Sequence, residues 1–195
     1  MFQPPSKEVL AHDLALGQLC GAWATLDRGV NELLAVILKV DAAQMACIAT
    51  EMDPVASRVR LTKKLLHTLC MPGWWTDGLT QVLNIIENEV GPLRNRCIHD
   101  SWRLSEGQPI RKDRRAFLKK LEARGNHILQ FDLEHTMKPD DIVTLNVDIM
   151  LGYLALKGAQ CDLEDRREMN TLSPKQSLLC PVVDTWEDRR KERPR

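Results

Sequence analysis

The chain of 195 residues is poor in the rings that fill an all-β core, with one tyrosine, three phenylalanines and five tryptophans. That scarcity argues against a β-sandwich. Neither sign of charge is in excess, since Lys plus Arg and Asp plus Glu both number 27. No global positive field is therefore available to hold a long nucleic-acid backbone, and any such contact must be local. The six cysteines stand singly, without a Cys-x-x-Cys or His-x-x-x-His pair. Cys97-x-His99 offers two ligands where a structural zinc site needs four, so no metal or cofactor is expected, and the thiols read as reduced. The first residues, Met-Phe-Gln-Pro-Pro-Ser-Lys-Glu, lack the basic start and apolar run of a signal peptide, and no later apolar run approaches a membrane span. A soluble, cytoplasmic protein is the expectation.

What is present is helical periodicity. Leu16, Leu19, Trp23, Leu26, Val30, Leu33 and Ile37 step by three and four, which places one apolar stripe on a long helix. Gly17, Gly21 and Gly29 weaken that helix, although small residues also admit a close neighbour. Asp53-Pro54 supplies an N-cap and a first-turn proline for a second helix over about 54 to 70, stopped by Pro72-Gly73. A third begins near Trp75, turns Leu79, Val82, Ile86, Val90 and Leu93 inward, and continues towards His99 through a kink at Gly91-Pro92. Trp74-Trp75 reads as a staple at its entry.

After Asp100 the period changes. Ser101-Trp102-Arg103-Leu104 and Ile110-Arg111 alternate about a Ser-Glu-Gly-Gln-Pro turn and predict a short β-hairpin, with Trp102 packed beneath it. Residues 116 to 133 fit a helix or a second hairpin, and the reading leans to strand. Pro139-Asp140-Asp141 opens a last helix in which Ile142, Leu145, Ile149 and Leu156 share a face, ending near Gly158. The rest is charged and without apolar period, so the expected organisation is a helical domain over 1–160 and a polar, flexible tail over 161–195.

One short element carries chemistry. Arg94 and His99 form an Arg-x4-His pair in Arg94-Asn95-Arg96-Cys97-Ile98-His99. An imidazole moves protons near neutral pH, and a guanidinium fork matches phosphate oxygens and stabilises charge on a pentavalent phosphorus. Together they suit cleavage of RNA by its own 2′-hydroxyl. Arg60 and His67 satisfy a looser spacing on the second helix and read as ordinary surface, so context singles out Arg94: Asn95 follows it, the pair ends an apolar helix, and Asp100-Ser101-Trp102 opens a polar segment. Cys97 reads as a small core residue. A plainly structural account also exists, in which His99 caps a helix C-terminus and Arg94 pairs with Glu87, Glu89 or Asp100.

This element, followed by Asp100 and Trp102, resembles the signature of HEPN-like proteins, and the resemblance covers roughly residues 8 to 158. It implies a mainly α fold, a bundle of four to five helices with a small β-hairpin insertion after the third, frequent dimerisation, and in many members a metal-independent endoribonuclease. Carried onto this chain, it assigns catalysis to Arg94, His99 and Asn95, the last as an orienting amide, and substrate contact to Arg96 and Asp100. Residues five apart sit about 140° apart on an ideal helix, so Asn95, not Arg94, shares a face with His99. Arg94 can still reach the site through its long side chain, through the kink at Gly91-Pro92, or across a homodimer in which each chain's Arg94 meets the other's His99, the option that the resemblance favours. The expected partners are thus RNA, a second copy and, for a toxin or defence component, an antitoxin-like protein. The rival expectation is a non-catalytic HEPN-like module that dimerises or binds a partner.

Overall fold

The computed structural model describes residues 5–99, 101–105, 108–112, 134–135, 139–164 and 172–191, and they are mainly helical. In chain order they form α1 (Lys7–Leu38), α2 (Ala42–Glu51), α3 (Val55–Leu66), α4 (Gly73–Ile85), a π-helical turn (Ile86–Val90), α5 (Gly91–His99), β1 (Ser101–Ser105), β2 (Gln108–Lys112), β3 (Glu134–His135), α6 (Pro139–Glu164), a 3-10 turn (Pro174–Gln176) and α7 (Cys180–Lys191). β1 pairs antiparallel with β2, Trp102 opposite Arg111, and β2 pairs antiparallel with β3. Asp100 and residues 113 to 133, with the helix-or-strand question over 116–133, lie outside the described residues.

The chain divides into two compact units, residues 1–21 with 92–146, and residues 22–91 with 147–195. The second holds the larger apolar core. On α1 the predicted stripe is buried there at Leu26, Val30 and Leu33, and Leu34 joins it. Gly29 has a packing reason to be glycine, because a Cβ would stand 2.8 Å from the Tyr153 ring of α6. Trp75, Leu79 and Leu83 bring α4 into this core, and Ile149 and Leu156 bring α6. Each fully buried large side chain contributes about 1.5–3 kcal/mol, so the stripe outweighs its glycines.

α1 ends where Lys39 turns left-handed at φ 58, with the Val40 amide donating to the Ala35 carbonyl at 3.1 Å. Asp41 and Gln44 then form a reciprocal capping box that starts α2. This helix was not among the expected elements. Asp53 does not cap α3, whose N-cap is Pro54 and whose last residue is Leu66 rather than 70. The Thr68 amide reaches back only to Leu65, so the helix tightens and stops.

Where a kink was expected at Gly91-Pro92, the chain makes the π turn just before it. Pro92 has no N–H for the Asn88 carbonyl, and its ring would crowd that group. The chain widens just before it, and the Gly91 amide donates to the Ile86 carbonyl, five residues back. A Cβ on Gly91 would lie 3.0 Å from that oxygen. Lys63 of α3 holds the turn through Glu87 at 2.5 Å.

Two expectations need correction. The segment 161–195 is not a solvated tail over its described part. α6 runs on to Glu164, α7 buries Trp186 to 1%, and Leu179 just before α7 is likewise 1% exposed. The ring of Trp186 seats against Gly152, where a Cβ would be 3.1 Å from it. One tryptophan among charges leaves no periodic trace, yet an aromatic ring of this kind buries about 150–250 Å². The second correction concerns apolar length. Among the described residues one unbroken helix, α6, is long and apolar enough to cross a membrane, with mean hydropathy 1.4 over 18 residues, but half of that window is buried in the fold.

Candidate functional site

The Arg94-to-His99 element forms most of α5, directly after the π turn. Cys97 is fully buried, as a small core residue should be. With that face inward, Asn95 and His99, four residues apart and nearly aligned, both stand exposed. Arg94 and Arg96 are half-buried. The Arg94 guanidinium donates to the Asn95 side-chain oxygen at 3.1 Å. The structure thus brings Arg94 to Asn95, and Asn95 to the face of His99. No hydrogen bond among the described residues joins Arg94 to His99, as the 140° offset requires. Asp100 lies outside the described residues.

The last carbonyls of any helix lack an in-helix partner. In α5 one of them is claimed from outside, because Trp102 on β1 donates its indole N–H to the Cys97 carbonyl at 2.8 Å. Trp102 is in turn met by His12 of α1, the ring centroids 4.2 Å apart and inclined at 65°. That edge-to-face geometry is the one aromatic quadrupoles favour. His12 is buried, with Nδ1 3.3 Å from an Asp13 carboxylate oxygen and Nε2 without a hydrogen-bond partner among the described residues. Sequence reasoning named Trp102 as packing and passed over His12. Nothing local links residues ninety positions apart, although a histidine on the inward face of α1, in step with Ala15 and Leu19, was a usable sign.

The looser pair on α3 sits differently. Arg60 is exposed and 3.6 Å from Glu87, and His67 is the exposed residue that ends α3. Next to them Arg58 is buried and paired with Asp27 at 2.8 Å and Asn31 at 2.9 Å, a structural ion pair. Glu87, one of the acids considered for Arg94, is occupied by Lys63 and Arg60.

Elsewhere the second unit has an open groove of about 320 Å³ along α4 and the π turn, lined by Asp77, Gln81, Asn84, Asn88 and Glu89 among others. None of the predicted site residues lines it. Among the described residues no three of His, Cys, Asp and Glu come together in a way that could hold a metal ion. Burial is the main cause that pushes the Cys180 thiol up from its ordinary range, which keeps it a poor nucleophile. No family model, no curated protein and no solved structure gives a significant match to the chain.

Proposed function

We propose that this chain is a HEPN-like helical protein that cleaves RNA without a metal, at a site shared by two copies about a two-fold axis. The observation that carries this reading is the exposed Asn95 and His99 on one face of α5, with the Arg94 guanidinium held against Asn95. In a two-fold pair, Arg94 of one protomer serves the His99 of its partner, which removes the angular mismatch within a single helix. One His99 imidazole takes the proton of the RNA 2′-hydroxyl as its oxygen bonds to phosphorus. The bond from phosphorus to the 5′-oxygen breaks, and that oxygen receives a proton from the second imidazole. Arg94 stabilises the charge on the pentavalent phosphorus, and Asn95 orients the guanidinium. Arg96 and Asp100 are assigned to substrate contact. The products are a 2′,3′-cyclic phosphate end and a free 5′-hydroxyl.

The balance of 27 cationic and 27 anionic residues favours a second reading, a non-catalytic HEPN-like module that binds a partner such as an antitoxin-like protein. Incubation of RNA with the protein in EDTA separates the two. We expect cleavage by the wild type, loss of cleavage in His99→Ala with helical circular dichroism and dimerisation retained, and loss in Arg94→Lys, since a point charge cannot replace a bidentate fork. Absence of wild-type cleavage, or an active His99→Ala protein, sinks the enzymatic reading.

A further inference from the structure

We propose that His12 and Trp102 are a positioning pair for His99. The proposal rests on the site reading above for its catalytic meaning and on independent geometry for its structure. His99 ends α5, and the last turn of a helix frays unless its free carbonyls are met. Here the Cys97 carbonyl, two residues before His99, is met by a side chain, the Trp102 indole N–H at 2.8 Å. An indole is a rigid plate, so where its N–H points depends on what holds its face and edge. That restraint is the buried ring of His12, 4.2 Å away at 65°. His12 is itself fixed by its place on the inward side of α1 and by Asp13 at 3.3 Å.

The chain of restraint therefore runs from α1 through His12 and Trp102 to the Cys97 carbonyl, and so to the turn that presents His99. Neither His12 nor Trp102 is assigned a contact with RNA. Their role is to hold an exposed imidazole in one orientation, which matters because small misplacements of a reacting group reduce rate far more than binding. A histidine at this depth whose Nε2 meets no partner among the described residues carries a cost that a phenylalanine would avoid. The ring contact, rather than the nitrogens, is thus what the positioning role requires of residue 12.

Three variants of the full chain test this. Trp102→Phe keeps a ring for His12 but removes the N–H, His12→Ala removes the ring contact, and His12→Phe restores it. Two readouts are taken: amide hydrogen exchange over Cys97, Ile98 and His99, and the steady-state parameters for RNA cleavage in EDTA. We expect Trp102→Phe and His12→Ala to exchange these amides faster and to lose about tenfold in kcat at unchanged KM. His12→Phe should restore both readouts and melt no lower than wild type. Wild-type exchange and kcat in Trp102→Phe overturn the proposal, as does a His12→Phe protein no better than His12→Ala. If His12→Ala fails to fold, Trp102→Phe and His12→Phe decide the matter. If the wild type cuts no RNA, the enzymatic reading falls, and exchange in Trp102→Phe alone decides whether the contact orders the turn.

Discussion

Asp162 and His12 are both buried polar side chains, 3% and 4% exposed, yet their surroundings differ sharply. Asp162, near the end of α6, accepts from the Trp75 indole at 3.0 Å, from the Ser177 hydroxyl at 2.6 Å and from the Leu178 amide at 2.9 Å. His12 has one polar neighbour of its own, and its second nitrogen is unmet among the described residues. A saturated buried carboxylate joins three segments and serves stability. A buried ring incompletely satisfied among the described residues, packed on the tryptophan that caps the candidate element, is the kind of local cost that stability alone does not explain.

The comparison can be broken most forcefully at the Asp162 end. Truncation after Gln160 removes Asp162, Leu172, Leu179 and Trp186 together, and burying Trp186 alone accounts for several kcal/mol. Thermal denaturation should lose its cooperative transition, whereas a melting curve like that of the full chain would show that α7 contributes nothing. Less severe is Asp162→Ala, which leaves the Trp75, Ser177 and Leu178 donors without their acceptor and should cost about 3 kcal/mol in urea denaturation. Asp162→Asn, which keeps one acceptor oxygen, should lose less, and equal losses would mean the hydrogen bonds do not matter. The smallest effects belong to Arg60→Ala and His67→Ala. Arg60 is exposed, its Glu87 contact is 3.6 Å long and Lys63 still pairs Glu87, so the loss should be about 0–1 kcal/mol, and these variants should melt and cut RNA like wild type and serve as controls for His99→Ala.

How far these features could be read from residue order follows the same divide between local and distant. α1, α4 and α6 were legible because Leu19, Leu26, Val30 and Leu33, or Leu79, Val82 and Ile86, repeat with the period of a helix. α2 was overlooked although Asp41 and Gln44 stand at capping-box spacing, because its interior has no strong stripe and buries only Met45. α7 was misread since Trp186 stands among charges and Pro181 interrupts the short apolar run Leu178-Leu179-Cys180-Pro181-Val182-Val183, although Ser173 and Gln176 carry a second capping-box spacing just upstream. Within the candidate site, the sharing of a face by Asn95 and His99 follows from counting residues. The Trp102 donor at the Cys97 carbonyl and the His12 ring behind it depend on tertiary packing, which no local pattern encodes.

The π turn at Ile86–Val90 has a further meaning for the bearing of the site. A helix behaves as a screw thread, and every residue added before a given point advances that point by about 100°. A turn of five residues where the thread calls for fewer absorbs one residue without advancing the thread. Were these residues to relax into a plain α-helix at the same length, the register of every later residue on the helix, Cys97 and the Asn95–His99 face included, would advance by about 100°. A chain one residue shorter in this turn would bring Cys97 to its present bearing with no widening at all. These five residues thus decide which side chains of the helix that follows stand in line with those before it.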